Sequence, residues 1–177
     1  MKSKRPPYVL DATAVIHFAK IGKLRLITDI CDAHITREVY HETVEVDEGQ
    51  PDSLVIKDAV DHGELKVYDV VEKRLVKALL RHSEIHPGEA ETLAAAKELG
   101  GLAVIDEKEA RAIASIHGIR AAPGTLFLLF RLLKLEKIGV EEAEEALTDL
   151  ITSGLYLDSK TLLRAKERLE EHRTGGR

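Results

Sequence analysis

Carboxylates recur at one kind of place along this chain. Asp11 follows the short apolar run Tyr8-Val9-Leu10, and Asp106 with Glu107 closes the run Leu102-Ala103-Val104-Ile105. Glu42 stands six residues beyond Thr36, which ends the run Ala33-His34-Ile35, and Glu38 precedes Glu42 by one helical turn on the same face. Glu89 comes directly after Pro87-Gly88, a sequence that starts a helix, where free backbone N–H groups and the helix dipole favour an anion. In an open parallel sheet, ligands bind outside the carboxyl ends of the strands, so acids that follow strands are placed to meet one another. Carboxylates crowded in this way repel unless a cation joins them, and a donor set of Asp and Glu oxygens suits Mg²⁺ or Mn²⁺ rather than zinc. Such ions lower the pKa of a bound water, hold a phosphate oxygen and stabilise the leaving oxygen of an in-line displacement, which is the chemistry of phosphodiester hydrolysis. Taken singly, each acid has a structural reading: Asp11 as a helix cap, Glu89 as a first-turn acid, Glu42 and Glu107 as solvated surface. Those readings do not account for all of them falling on one sheet edge.

The elements that must position these acids alternate. Strand-like runs at Tyr8–Leu10, Ala33–Ile35, Leu65–Val70, Leu102–Ile105 and around Ile119 are separated by stretches of helical spacing, which predicts a parallel sheet with crossover helices. Helices are expected from Ala12 to Lys20, Leu24 to Ile30, after a Thr36 cap, after a Ser53 cap, from Val71 to Leu80, from Glu89 to Leu99 and from Lys108 to His117. Beyond Pro123 the pattern is helical only, with segments at Thr125–Lys134, Val140–Ile151 and Ser159–Glu171 and a tail from Thr174 to Arg177 expected to be disordered. Residues 1–135 therefore read as the domain that carries the acids, and residues 136–177 as a helical extension. The stretch Leu126-Phe127-Leu128-Leu129-Phe130 is apolar almost all round; it reads either as core or as a helix that also meets a partner, such as a second copy of the chain.

Composition narrows the class. With 44% hydrophobic and 32% charged residues the chain is a globular protein, and its single cysteine, Cys31, excludes an internal disulfide or a cysteine-based zinc site. No apolar run reaches bilayer length, and the basic segment Met1–Pro7 lacks a following signal-like stretch, so membrane insertion and secretion are not expected and a cytoplasmic location is. The absence of Asn and the single Gln50, beside abundant Lys, Arg and Glu, resemble the composition of heat-adapted, thermophile proteins. No two of the eight histidines fall at ligand spacing within one predicted helix, and no phosphate-binding glycine loop occurs. Ala12-Thr13-Ala14 lacks the second aspartate that a phosphoaspartyl hydrolase places two residues after its nucleophile. The net charge of −5 argues against a protein that coats nucleic acid. Setting aside Asp11, Glu42, Glu89, Asp106 and Glu107, however, leaves 26 acids against 26 Lys+Arg, so the acid surplus is local to the proposed edge. Cations cluster at Lys73, Arg74, Lys77 and Arg81 and at Lys108 and Arg111; they read as solvated surface or as a phosphate track, with Arg111 the foremost phosphate contact.

Four segments in register, Val9-Leu10-Asp11-Ala12-Thr13, Ile35-Thr36-x-x-Val39-x-x-Glu42, Pro87-Gly88-Glu89-Ala90-Glu91 and Val104-Ile105-Asp106-Glu107-x-x-Ala110-Arg111, resemble the PIN-domain ribonucleases. The last two resemble the prokaryotic, VapC-like branch, and the likeness runs from about Tyr8 to Leu135. The resemblance implies an α/β/α three-layer sandwich with a parallel sheet, an acid cluster binding Mg²⁺ or Mn²⁺, and endonucleolytic cleavage of RNA. By motif position Asp11, Glu42, Glu89 and Asp106 are the expected catalytic acids. Asp11, Glu89, Asp106 and Glu107 are the expected metal ligands, with Thr13 and Glu38 in support and Lys108 and Arg111 toward RNA. For the fourth acid two positions compete. Ile105 stands where many members carry Ser or Thr two residues ahead of the acid, which points to Glu107; the Ile-Asp-Glu branch points to Asp106, the preferred choice. The implied role is the toxin of a toxin–antitoxin pair, held by a small antitoxin protein and forming a homodimer. A nuclease that processes stable RNA and a non-catalytic interaction platform on the same fold are the alternatives.

Overall fold

The structure is a computed structural model and describes residues 5–175. Of the basic N-terminal segment, residues 1–4 lie outside the described residues, as do Gly176 and Arg177 of the expected tail. Five strands form one sheet: β1 (Pro7–Leu10), β2 (Asp32–Thr36), β3 (Lys66–Tyr68), β4 (Leu102–Ile105) and β5 (Ala121–Pro123). Their order is β3-β2-β1-β4-β5, every pairing is parallel, and Leu10 stands opposite Val104. The chain thus winds outward from β1 to β3 and returns to the other side of β1 for β4. The order reverses between β1 and β4, the place where an open parallel sheet opens a crevice at its carboxyl edge. Asp11 and the Asp106-Glu107 pair flank that point.

Both faces of the sheet are covered, which is why the strands are continuous apolar runs rather than alternating ones. Tyr8, Leu10, Ile35 and Val104 point into one core, with α1 (Ala12–Lys20), α2 (Leu24–Ile30), α8 (Gly124–Lys134), α9 (Val140–Thr152) and α10 (Ser159–Gly175). Val9, Ala103 and Ile105 point into the other, with α5 (Lys73–Leu79), α6 (Pro87–Glu98) and α7 (Lys108–Ile116). This is the three-layer α/β/α sandwich. Ala90, Ala94, Ala95 and Ala96 of α6 are buried, and their small side chains let the helix lie close on β1 and β4.

Local differences from the sequence reading have physical causes. The helix expected after a Ser53 cap, α4 (Pro51–Asp61), begins at Pro51, whose fixed φ suits a first helical position, and Ser53 Oγ donates to the Gln50 carbonyl at 2.9 Å. The last strand is Ala121–Pro123 and not around Ile119, because Ile119 closes the end of α7 through its N–H to the Ala114 carbonyl and is buried in the second core. The tail expected from Thr174 continues α10 to Gly175, with Arg173 bridging Glu144 and Glu170. The all-round apolar character of α8 is taken up inside the chain. Leu128, Leu129 and Leu132 are fully buried against α1, α2 and α9, Phe127 meets the Tyr8 ring, and the Arg168 guanidinium of α10 covers Phe130 at 4.3 Å from the ring centre. That stretch therefore supplies no argument for a partner surface. No helix among the described residues is long and apolar enough to cross a membrane.

Candidate metal centre at the carboxyl edge of the sheet

Asp11 is both a helix cap and a site acid. Oδ1 accepts the Ala14 N–H at 2.9 Å, starting α1, while Oδ2 faces the neighbouring strand end and accepts the Asp106 N–H at 3.3 Å. The residue is 5% exposed. Burial, followed by the nearby Asp106 charge, pushes its carboxyl up to about 7 despite the two N–H donors. A buried carboxylate held that high is an anion lacking a counter-ion.

Thr36 ends β2 and caps α3 (Arg37–Tyr40), accepting the Val39 N–H at 3.3 Å. The helix then widens into a π-helical turn, His41–Glu45, closed by the Val46 N–H on the His41 carbonyl. Such turns gather at functional sites. Glu42 sits on it, half-buried, and its carboxyl is raised by burial and then by the Glu38 charge one turn away. The Glu42 carboxylate lies against Gly88, where a Cβ would stand 3.0 Å and 3.1 Å from its two oxygens. The third position of α6 is Glu89, 8% exposed, and its Oε2 accepts the His86 N–H at 2.9 Å in a capping box. Burial raises this carboxyl, and the Glu107 charge adds to the effect.

Asp11, Thr13, Glu42, Glu89 and Glu107 line one cleft of about 530 Å³, joined by Glu84 and His86. The two last residues were not legible as site residues, although they lie three residues and one residue ahead of the Pro87-Gly88-Glu89 helix start. Among the described residues, no Lys or Arg lines the cleft. A larger groove of about 700 Å³ between α9 and α10 shares no residue with it.

The paired acids at the end of β4 part company. Glu107 is exposed and turns into the cleft, whereas the Asp106 carboxylate points to the start of α8. There it accepts the Thr125 N–H at 2.9 Å and 3.1 Å and the Thr125 hydroxyl at 2.7 Å. Asp106, preferred over Glu107 on the motif, is thus not among the residues that line the cleft. Glu38 stands outside it too; its N–H donates to Glu91, which also pairs with Lys73. The Arg111 guanidinium is spent on the chain itself, donating through Nη1 to the Ile105 carbonyl at 2.9 Å and the Asp106 carbonyl at 2.6 Å. Lys108 is exposed on the first turn of α7.

The donor chemistry fits a hard divalent cation: carboxylate oxygens dominate the lining, with His86 beside them and no Lys or Arg among the described residues, and burial penalises the ionised acids. As they stand, no three His, Cys, Asp or Glu side chains among the described residues are close enough to enclose an ion. Closing on one requires Glu42 and Glu107 to swing toward Asp11 and Glu89, which their three side-chain torsions allow.

A family model, DUF3368, described as a PIN domain, matches residues 7–171. Neither curated proteins nor solved structures gave a match. The matched span runs from β1 through most of α10, and so takes in every acid of the cleft together with both helical layers. With its parallel sheet, its switch point between β1 and β4 and the acids at that edge, the chain belongs to the PIN-domain family.

Proposed function

We propose that the protein is a metal-dependent endoribonuclease that hydrolyses RNA phosphodiester bonds at this cleft. PIN domains are in general nucleases, and the observation that carries the reading is the convergence of Asp11, Glu42, Glu89 and Glu107 on one cavity that no Lys or Arg among the described residues lines. A polyanionic substrate is repelled by such a cavity unless positive charge enters first. Asp11, Glu89 and Glu107 are the residues that would hold Mg²⁺ or Mn²⁺, with Glu42 completing the set. Bound there, the ion supplies an activated water and stabilises the leaving oxygen.

The chain's own contributions follow from its geometry. Asp11 is held rigidly by two backbone donors, so it presents a fixed anion at the switch point. Glu89 is pinned by its capping bond. Glu42, half-buried with its carboxyl raised, is suited to take a proton from the attacking water. Thr13 supplies a hydroxyl on the cleft wall. Lys108, exposed on the first turn of α7, would meet a phosphate, and Arg111 acts through the backbone that it holds. Residues 1–135 contain every one of these groups and constitute the nuclease unit; of the remaining residues, α9 and α10 add helices to its core.

Purified protein should cleave RNA with Mn²⁺ or Mg²⁺ and stop in chelator, and Asp11→Asn should abolish cleavage with the fold retained. Cleavage that survives Asp11→Asn overturns the assignment. Within this activity the VapC-like motifs favour a toxin. A small protein encoded alongside that co-purifies and blocks cleavage supports that role, whereas defined products from stable RNA with no such inhibitor support processing.

A further inference from the structure

We propose that Asp106 is a positioning residue, a latch between the cleft wall and the helical layer beneath it, and not a ligand of the ion. The inference rests on the nuclease reading above, and its test separates the two. Every polar group of Asp106 is engaged. Its carboxylate accepts the Thr125 N–H and hydroxyl, its N–H donates to Asp11 Oδ2, and its carbonyl accepts from Arg111.

The need for the latch is visible at the start of α8. The residue at the capping position is Pro123, which has no side-chain acceptor, so the first N–H groups of α8 lack a local cap. Asp106 supplies that cap from another strand end, 19 residues away in sequence. Gly124 makes room for it: its φ is +44°, and a Cβ there would fall 2.0 Å from Asp106 Oδ1. Swinging the carboxylate toward the cleft would uncap α8 and break three hydrogen bonds at once. Holding it in place fixes the Asp106 N–H that orients Asp11, and leaves the next residue, Glu107, facing the cleft. The order of the α8 layer is thereby transmitted to the buried acid.

The experiment compares Thr125→Val, Thr125→Ser, Asp106→Asn, Asp106→Asn/Thr125→Val and Glu107→Gln in steady-state cleavage, Mn²⁺ titration and amide hydrogen exchange of the metal-free protein. Thr125→Val leaves every acid in place. For a latch it should lower kcat about tenfold with KM nearly unchanged, as small displacements of a reacting group do. Thr125→Ser should restore kcat, the double variant should be no worse than Asp106→Asn, and Mn²⁺ affinity should fall for Glu107→Gln but not for Thr125→Val. Loss of Mn²⁺ binding in Asp106→Asn alone, with kcat unchanged in Thr125→Val, would make Asp106 a ligand and overturn the proposal. Exchange at the first turn of α8 should rise in Asp106→Asn and stay at the parent rate in Glu107→Gln. This readout is independent of cleavage, so it tests the latch even where the nuclease reading itself fails; an unchanged rate in Asp106→Asn refutes the latch.

Discussion

The charge on Asp11 should cost the metal-free protein stability in a pH-dependent way. A carboxyl raised from 3.8 to about 7 on folding binds its proton more tightly in the native state than in the unfolded chain. Between those values the native state therefore holds more protons, so stability falls as pH rises: the penalty is nearly absent near pH 4 and complete above about pH 7. At about 1.4 kcal/mol per pKa unit, the full penalty is about 4 kcal/mol. The assay is thermal or urea unfolding of parent and Asp11→Asn in chelator at pH 4 and pH 8, taking the difference between the two proteins at each pH so that other titrating groups largely cancel. Asn forfeits one of the two N–H contacts at both pH values, a constant offset of about 1 kcal/mol. Asp11→Asn should thus be equal or slightly weaker at pH 4 and more stable by about 2–3 kcal/mol at pH 8, once the offset is subtracted from the linkage. For a chain of this length that is a rise on the order of 5–10 °C in Tm. Saturating Mn²⁺ at pH 8 should raise the parent's Tm and leave the variant's unchanged. A parent–variant difference that does not change between pH 4 and pH 8 would refute the claim that Asp11 is a buried, uncompensated anion.

Other perturbations probe the cleft and its supports. Gly88→Ala pushes a Cβ against the Glu42 carboxylate at 3.0 Å and should lower cleavage about tenfold with little change in Tm; full activity contradicts a role for Glu42. Thr92 is fully buried on α6 with no hydrogen-bond partner for its hydroxyl, so Thr92→Val should be neutral or stabilise by up to about 1 kcal/mol in urea unfolding; a clear loss contradicts this. Arg111→Ala removes two bonds to the β4 end and should cost about 1–3 kcal/mol of stability while leaving the salt slope of RNA binding intact. Lys108→Ala should do the opposite, reducing that slope by about 1 at unchanged Tm.

Much of this was legible in the sequence where the physics is local. Apolar runs ending in an acid gave β1 and β4 nearly to the residue, and Thr36 and Pro87 marked helix starts because capping and proline geometry act within a few residues. Asp11 and Glu107 could be placed at one edge because they follow parallel strands, and Glu42 and Glu89 because they lie on helices that begin at that edge. Which of Asp106 and Glu107 lines the cleft could not be read, since it depends on an uncapped helix start at Pro123 that reaches Asp106 only in three dimensions. The π-helical turn that carries Glu42 was equally hidden, because a shift from i+4 to i+5 bonding leaves no mark in composition. The apolar girdle of α8 was ambiguous for a related reason: whether α9 and α10 or a partner covers it is decided by packing. The balance of 26 acids against 26 cations outside the five motif acids also takes on sharper meaning, because with Asp106 engaged at α8 the cleft itself still holds its charge unrelieved.

The most direct measurement is anomalous diffraction from a crystal of this protein soaked in Mn²⁺ at pH 8. A manganese peak is expected in the cleft, held by Asp11, Glu89 and Glu107 with Glu42 beside it, and Asp106 still bonded to Thr125. No peak there at saturating Mn²⁺, or a peak bound by residues outside the cleft, would contradict the central claim that these acids share a cation.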